Sequence, residues 1–156
     1  MSSVQWLLLA HLLSAFTFVS GAVAAGVIQI AAIKSEKPGE IALLLRLVRV
    51  PVALVTLGAL ATLAFGFALV HQLHLPNSLL WIRLAFGFWI LSMVLGGLGG
   101  RRARHAREYA ERMEGGEALD QGELRRLVAD PVSVALSTAS FVVVLGIIVL
   151  MVWRPT

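Results

Sequence analysis

The chain has 156 residues, of which 58% are hydrophobic and only 14% charged, and its mean hydropathy is +0.86. A soluble domain carries about 25% charged residues, so the composition places the chain in the membrane class. Cysteine is absent, which excludes disulfides, thiol catalysis and thiolate metal sites. The net charge of +4 is a matter of membrane orientation here, not of nucleic-acid binding.

A bilayer-spanning helix needs about 20 apolar residues. Four runs qualify: residues 4–33, 52–70, 79–100 and 131–153. None contains Asp or Glu. Transmembrane strands would alternate over about ten residues, whereas these runs are continuous, so helices are expected.

The first run holds His11 within "WLLLAHLLSAFTFVSGAVAAG". It has no Lys or Arg before its apolar core and is longer than a signal-peptide core. It is therefore expected to stay as a span, although "AVAAG" resembles a cleavage site. The connector 34–51 follows. Its Ile41, Leu44, Leu45 and Val48 recur at helical spacing, with Arg46 and Arg49 on another side. This reads as an interfacial turn or an extension of the second span, which Pro51 opens.

The second run ends at His71, with His74 in "HQLHLPN", where Pro and Asn mark a loop. The third begins beside Trp81 and Arg83. It passes through "GGLGG" into "RRARHAREYAERME". There Arg104 precedes Glu108 by four residues, as Arg107 precedes Glu111, which suits a solvated helix continuing the span. Gly115-Gly116 breaks that helix. Asp130-Pro131 gives an N-cap and a first-turn proline for the fourth span, which ends near Met151, Trp153 and Arg154.

Eleven of the thirteen Lys and Arg residues lie in connectors 34–51 and 101–130, as do all nine acids. The positive-inside rule makes that face cytoplasmic. Both termini then lie outside, and His11, His71, His74, Arg83, Met151 and Arg154 gather toward the outer leaflet. Trp6, Trp81 and Trp153 mark the same interface. Lipid is expensive surroundings for an imidazole, so His11 should face the bundle interior. It then either hydrogen-bonds a neighbouring helix or takes part in a ligand site or a proton relay. His71 and His74 either share a face or sit in a wet turn. Arg83 either snorkels beside Trp81 or pairs with an acidic group of a bound molecule. Met151 is filler or a thioether ligand. Heme iron takes His or Met axially, with an arginine for its propionates, and copper takes imidazole and thioether. Gly21 with Ala25, Ala22 with Gly26, Gly96 with Gly100 and Ser133 with Ser137 provide small residues at four-residue spacing for close helix approach.

Three stretches carry a family likeness: "HLLSAFTFVSG", "RLVRVPVALVTLGALATLAFG" and the ending "VLMVWRPT". On these the chain resembles small bacterial predicted integral membrane proteins of unknown function, akin to the CopD-like and HemJ-like four-helix proteins. The resemblance implies a four-helix membrane fold. It associates the fold with copper handling or with heme and protoporphyrinogen oxidation. Only His11 carries over residue by residue, because the third-span lysine of HemJ-like proteins has no counterpart here.

The expectation is an all-α, four-span antiparallel bundle in the bacterial inner membrane, N-out and C-out, with a cytoplasmic helical extension after the third span. The function read from the residues is a membrane protein of unestablished role, with heme b or copper near the outer leaflet, held through His11, as the candidate cofactor. The competing class is an accessory subunit of a larger membrane complex, without cofactor, or a homo-oligomer. A transporter is disfavoured by the absence of intramembrane carboxylates.

Overall fold

The computed structural model describes residues 2–76 and 79–153, and the predicted outer-side Arg154 lies outside them. Among the described residues six helices follow one another: α1 (Ser3–Lys34), α2 (Pro38–Leu47), α3 (Arg49–Gln72), α4 (Leu80–Glu114), α5 (Gln121–Val128) and α6 (Pro131–Trp153). Four helical stretches, containing α1, α3, α4 and α6, are long and apolar enough to cross a membrane. The architecture is all-helical, as composition and hydropathy require.

Sequence chemistry explains the ends. α1 starts in a capping box, in which the Ser2 side chain accepts from the Gln5 backbone and Gln5 answers at the Ser2 backbone. α2 starts with Pro38 in its first turn. α4 stops at Gly115, and Gly116 follows at φ +92°, a conformation that glycine adopts without penalty. Asp130 caps α6 by accepting from the Ser133 backbone at 2.7 Å, and it also pairs with Arg102.

The spans pack as two antiparallel pairs, α1 on α3 and α4 on α6. Both pairs rest on small residues rather than on large apolar ones. At Gly58 an added Cβ would lie 2.6 Å from the backbone nitrogen of Phe18, and at Gly21 it would lie 2.9 Å from the Pro51 carbonyl oxygen. In the second pair, Gly99 lies against Ser133 and Ser137, and the Ser133 hydroxyl donates to the Gly99 carbonyl at 2.5 Å. Ser140 donates to the Ser92 carbonyl at 2.8 Å. Lipid offers no hydrophobic drive between helices, so close van der Waals approach and interhelical hydrogen bonds take over. The pairs meet around Phe18, Ala59 and Val144, with Trp89 and Met93 against them. Phe67 of α3 also meets Phe86 of α4 edge-on, with ring centroids 5.7 Å apart.

A second core lies at the basic end. Ala32, Ile41, Ala42, Leu45, Ala106, Ala110, Leu124 and Val128 are buried together, joined by Tyr109 and Met113. Ile41, Leu45 and Leu124 are the largest apolar side chains fully buried anywhere in the described chain. The connectors thus fold into a helical cap: α2, the extension of α4, and α5 close over the end of α1. Gln29 of α1 donates to the Val128 carbonyl at 3.0 Å and ties span to cap. The extension expected after the third span is present, but one of its faces is buried rather than solvated all round.

Candidate functional site

His11 faces α3. Its Nδ1 lies 3.0 Å from the Thr62 carbonyl oxygen, and its ring packs on Gly66, where an added Cβ would approach the imidazole to 3.2 Å. Proton donation from Nδ1 to that carbonyl leaves Nε2 with the lone pair. Ser14, one turn along α1, turns its hydroxyl back to the Ala10 carbonyl at 2.6 Å. The imidazole is therefore an interhelical clamp within the α1–α3 pair. Thr62 and Gly66 are its partners, and neither was singled out from the sequence. The usable signal was Thr62, a polar residue midway through an apolar run.

The helix register decides which other candidates can join it. In the first pair, Gln72 reaches Ser3 at 3.3 Å, His11 reaches Thr62, and Gly58 meets Phe18. His71 therefore lies level with the start of α1. It stands nine residues beyond Thr62, about 13 Å along the axis at 1.5 Å per residue. Two imidazole nitrogens on one metal ion lie within about 4 Å of each other. His11 and His71 thus occupy different depths.

The outermost layer holds the rest. The Phe67–Phe86 contact puts His71 near the level of Arg83. In the second pair, Gly99 with Ser133 and Ser137, Gly96 with Ser140, and Gly146 with Phe88 set a register that brings Met151 to that same level. His71, His74 and Arg83 are exposed, and Met151 is half-buried. Phe67, Val70, His71, His74 and Leu75 line an open recess there. His74 takes φ +50° just after α3, while the Leu75 backbone donates to the Val70 carbonyl at 3.0 Å. That is a helix-terminating left-handed turn, so His74 sits in a turn beyond α3, while Asn77, one of the two residues that mark the loop, lies outside the described residues. Among the described residues, no group of three His, Cys, Asp or Glu is placed to hold a metal ion.

The basic end is electrostatically ordered. Arg46 pairs with Glu114 at 2.8 Å and Arg49 with Glu111 at 2.7 Å, linking the α2–α3 junction to α4. Of the two expected helix-face pairs, Arg107–Glu111 forms, at 3.8 Å. Arg112 holds Glu117 at 2.5 Å, and this hydrogen bond keeps the Glu117 carboxyl below its ordinary pKa. The Tyr109 hydroxyl donates to the Asp120 carbonyl at 3.2 Å and anchors the turn into α5.

Residues 5–155 match a family model described as a predicted integral membrane protein (DUF2269). No curated protein and no solved structure matches the chain.

Proposed function

The chain belongs to this family of predicted integral membrane proteins, and from that footing we propose a non-catalytic accessory role in the bacterial inner membrane. The four spans anchor and orient the helical cap, which the excess of Lys and Arg assigns to the cytoplasm. Both termini then lie outside. The observation that carries this reading is the cap core. The chain buries Ile41, Leu45 and Leu124 completely outside the apolar spans, so it maintains a shaped, ion-paired surface beyond the bilayer. Rigid surfaces of that kind serve partner recognition, since little ordering entropy is lost on docking.

A second reading rests on the His11 hydrogen bond. A histidine that donates from Nδ1 to a backbone carbonyl is oriented in the manner of metal-ligating histidines. Its Nε2 would be the ligand atom for heme b or copper. On the helix register, His71 would stand too far along the axis to share one metal ion with His11, whereas Arg83, in the role of a propionate partner, would not have to.

One preparation separates the two readings. Protein purified in mild detergent is examined by absorption spectroscopy, metal analysis and native electrophoresis. The accessory reading expects a colourless preparation that migrates within a larger assembly, and it expects Leu124→Ala to release that assembly. A Soret band or stoichiometric copper that disappears in His11→Ala overturns it in favour of the second reading.

A further inference from the structure

The basic residues of the cap are not equivalent. Lys37, Arg46, Arg49, Arg102, Arg107, Arg112, Arg125 and Arg126 each have a carboxylate within 4.0 Å. Among the described residues at this end, Lys34, Arg101 and Arg104 have none. Arg101 and Arg104 are both exposed, one turn apart on α4, and His105 and Glu108 continue the same face at helical spacing.

That face has a definite history along the helix. Leu91, Val94 and Leu98 precede it at the same spacing and are 44%, 51% and 41% exposed. Such side chains on a span face acyl chains. The opposite face of α4 is closed, since Ser92, Gly99, Ala106 and Ala110 are buried against α6 or the cap. The stretch from Leu80 to Gly100 rises about 31 Å, the thickness of the hydrocarbon core. Arg101 therefore emerges where acyl chains end, and Arg104 lies about 5 Å further out, at headgroup depth. Guanidinium groups bind phosphate oxygens in a two-pronged fork. Glu108 ends the basic stretch one turn beyond, on the water side.

We infer that Arg101 and Arg104 form a binding site for the phosphate of an anionic phospholipid, whose acyl chains lie along Leu98 and Val94. The ion pairs of the remaining cap arginines leave these two guanidinium groups available. The site does not depend on the accessory role, because it needs only the α4 face and a bilayer.

The full chain is placed in nanodiscs of mixed phosphatidylcholine and phosphatidylglycerol, and native mass spectrometry counts the lipids that stay bound. The wild-type protein retains phosphatidylglycerol preferentially. Arg101→Gln with Arg104→Gln loses most of this preference, at about fivefold per arginine, and Arg104→Gln alone loses about half of it on a logarithmic scale. Arg125→Gln with Arg126→Gln removes the same charge from α5 and leaves the preference intact. Excess inorganic phosphate fails to displace the lipid. Equal loss in the α4 and α5 variants would overturn the inference in favour of diffuse charge attraction. Full retention in the α4 variant would overturn it and leave the arginines to an acidic protein surface. Displacement by inorganic phosphate would overturn it in favour of a soluble anion.

Discussion

The spans and the cap are built on opposite packing rules within one chain. In the spans, Gly21, Gly58 and Gly99 bring backbones together while Leu12, Leu13, Phe16, Val142 and Val149 point away from the bundle. In the cap, Ile41, Leu45 and Leu124 point inward, and the arginines other than the largely buried Arg107 point out. The difference follows from the solvent. Water drives large apolar side chains together at roughly 25 cal/mol per Å², whereas lipid accepts them and leaves only contact and hydrogen bonding to hold helices. α4 runs through both regimes without a break. Its contact residues are Ser92 and Gly99 in the apolar half, and Ala106 and Ala110, with Tyr109 and Met113 beside them, in the polar half.

The largest break in this comparison comes from a large residue at a span contact. Gly58→Leu forces a side chain into the Phe18 backbone, which cannot yield as a flexible side chain would. We expect a loss of more than about 3 kcal/mol in detergent unfolding, with α1 and α3 separating while the cap core stays formed. Leu124→Ala inverts the experiment. It should cost about 2–3 kcal/mol through the cavity it leaves and speed hydrogen exchange in α2 and α5, leaving the α4–α6 contact unchanged. His11→Ala removes the bond to the Thr62 carbonyl and should cost about 1 kcal/mol in the same unfolding assay.

The smallest effect belongs to the Arg112–Glu117 pair, which is exposed. Arg112 lowers the native Glu117 pKa. The pair's contribution is therefore present above the unfolded carboxylate value and is lost as pH falls through the lowered native value. Hydrogen exchange in the turn before α5 should rise slightly under acid, and Glu117→Gln should abolish that pH dependence.

Much of the fold was legible because hydropathy is read over long windows. The fourth span appears with its Asp130-Pro131 start, and Gly115-Gly116 ends α4 where turn chemistry places it. The cap was half legible. The apolar spacing of Ile41, Leu44 and Leu45 is visible, but the partners that bury it, Leu124 and Val128, come from a segment some eighty residues away. Small-residue spacing found Gly21, Gly96, Ser133 and Ser137. It missed Gly58 and Gly99, whose close contacts depend on which face turns to the neighbour. The sequence places His11 and His71 in the same outer part of the spans, but span ends fix only a leaflet, and depth within it comes from helix register. Arg101 and Arg104 were visible as charges, but their lack of carboxylate partners is a property of the folded cap.

The folded, cytoplasm-facing cap is the claim on which the account turns, and the absence of native cysteine makes it directly measurable. Single cysteines are introduced as Arg126→Cys, on the exposed side of α5, and Val128→Cys, in its buried core. Each is treated with a membrane-impermeant maleimide in inverted and in right-side-out vesicles. The account predicts labelling in inverted vesicles only, with position 128 slower than position 126 on the order of 100-fold. Equal rates at the two positions, or labelling confined to right-side-out vesicles, would contradict it.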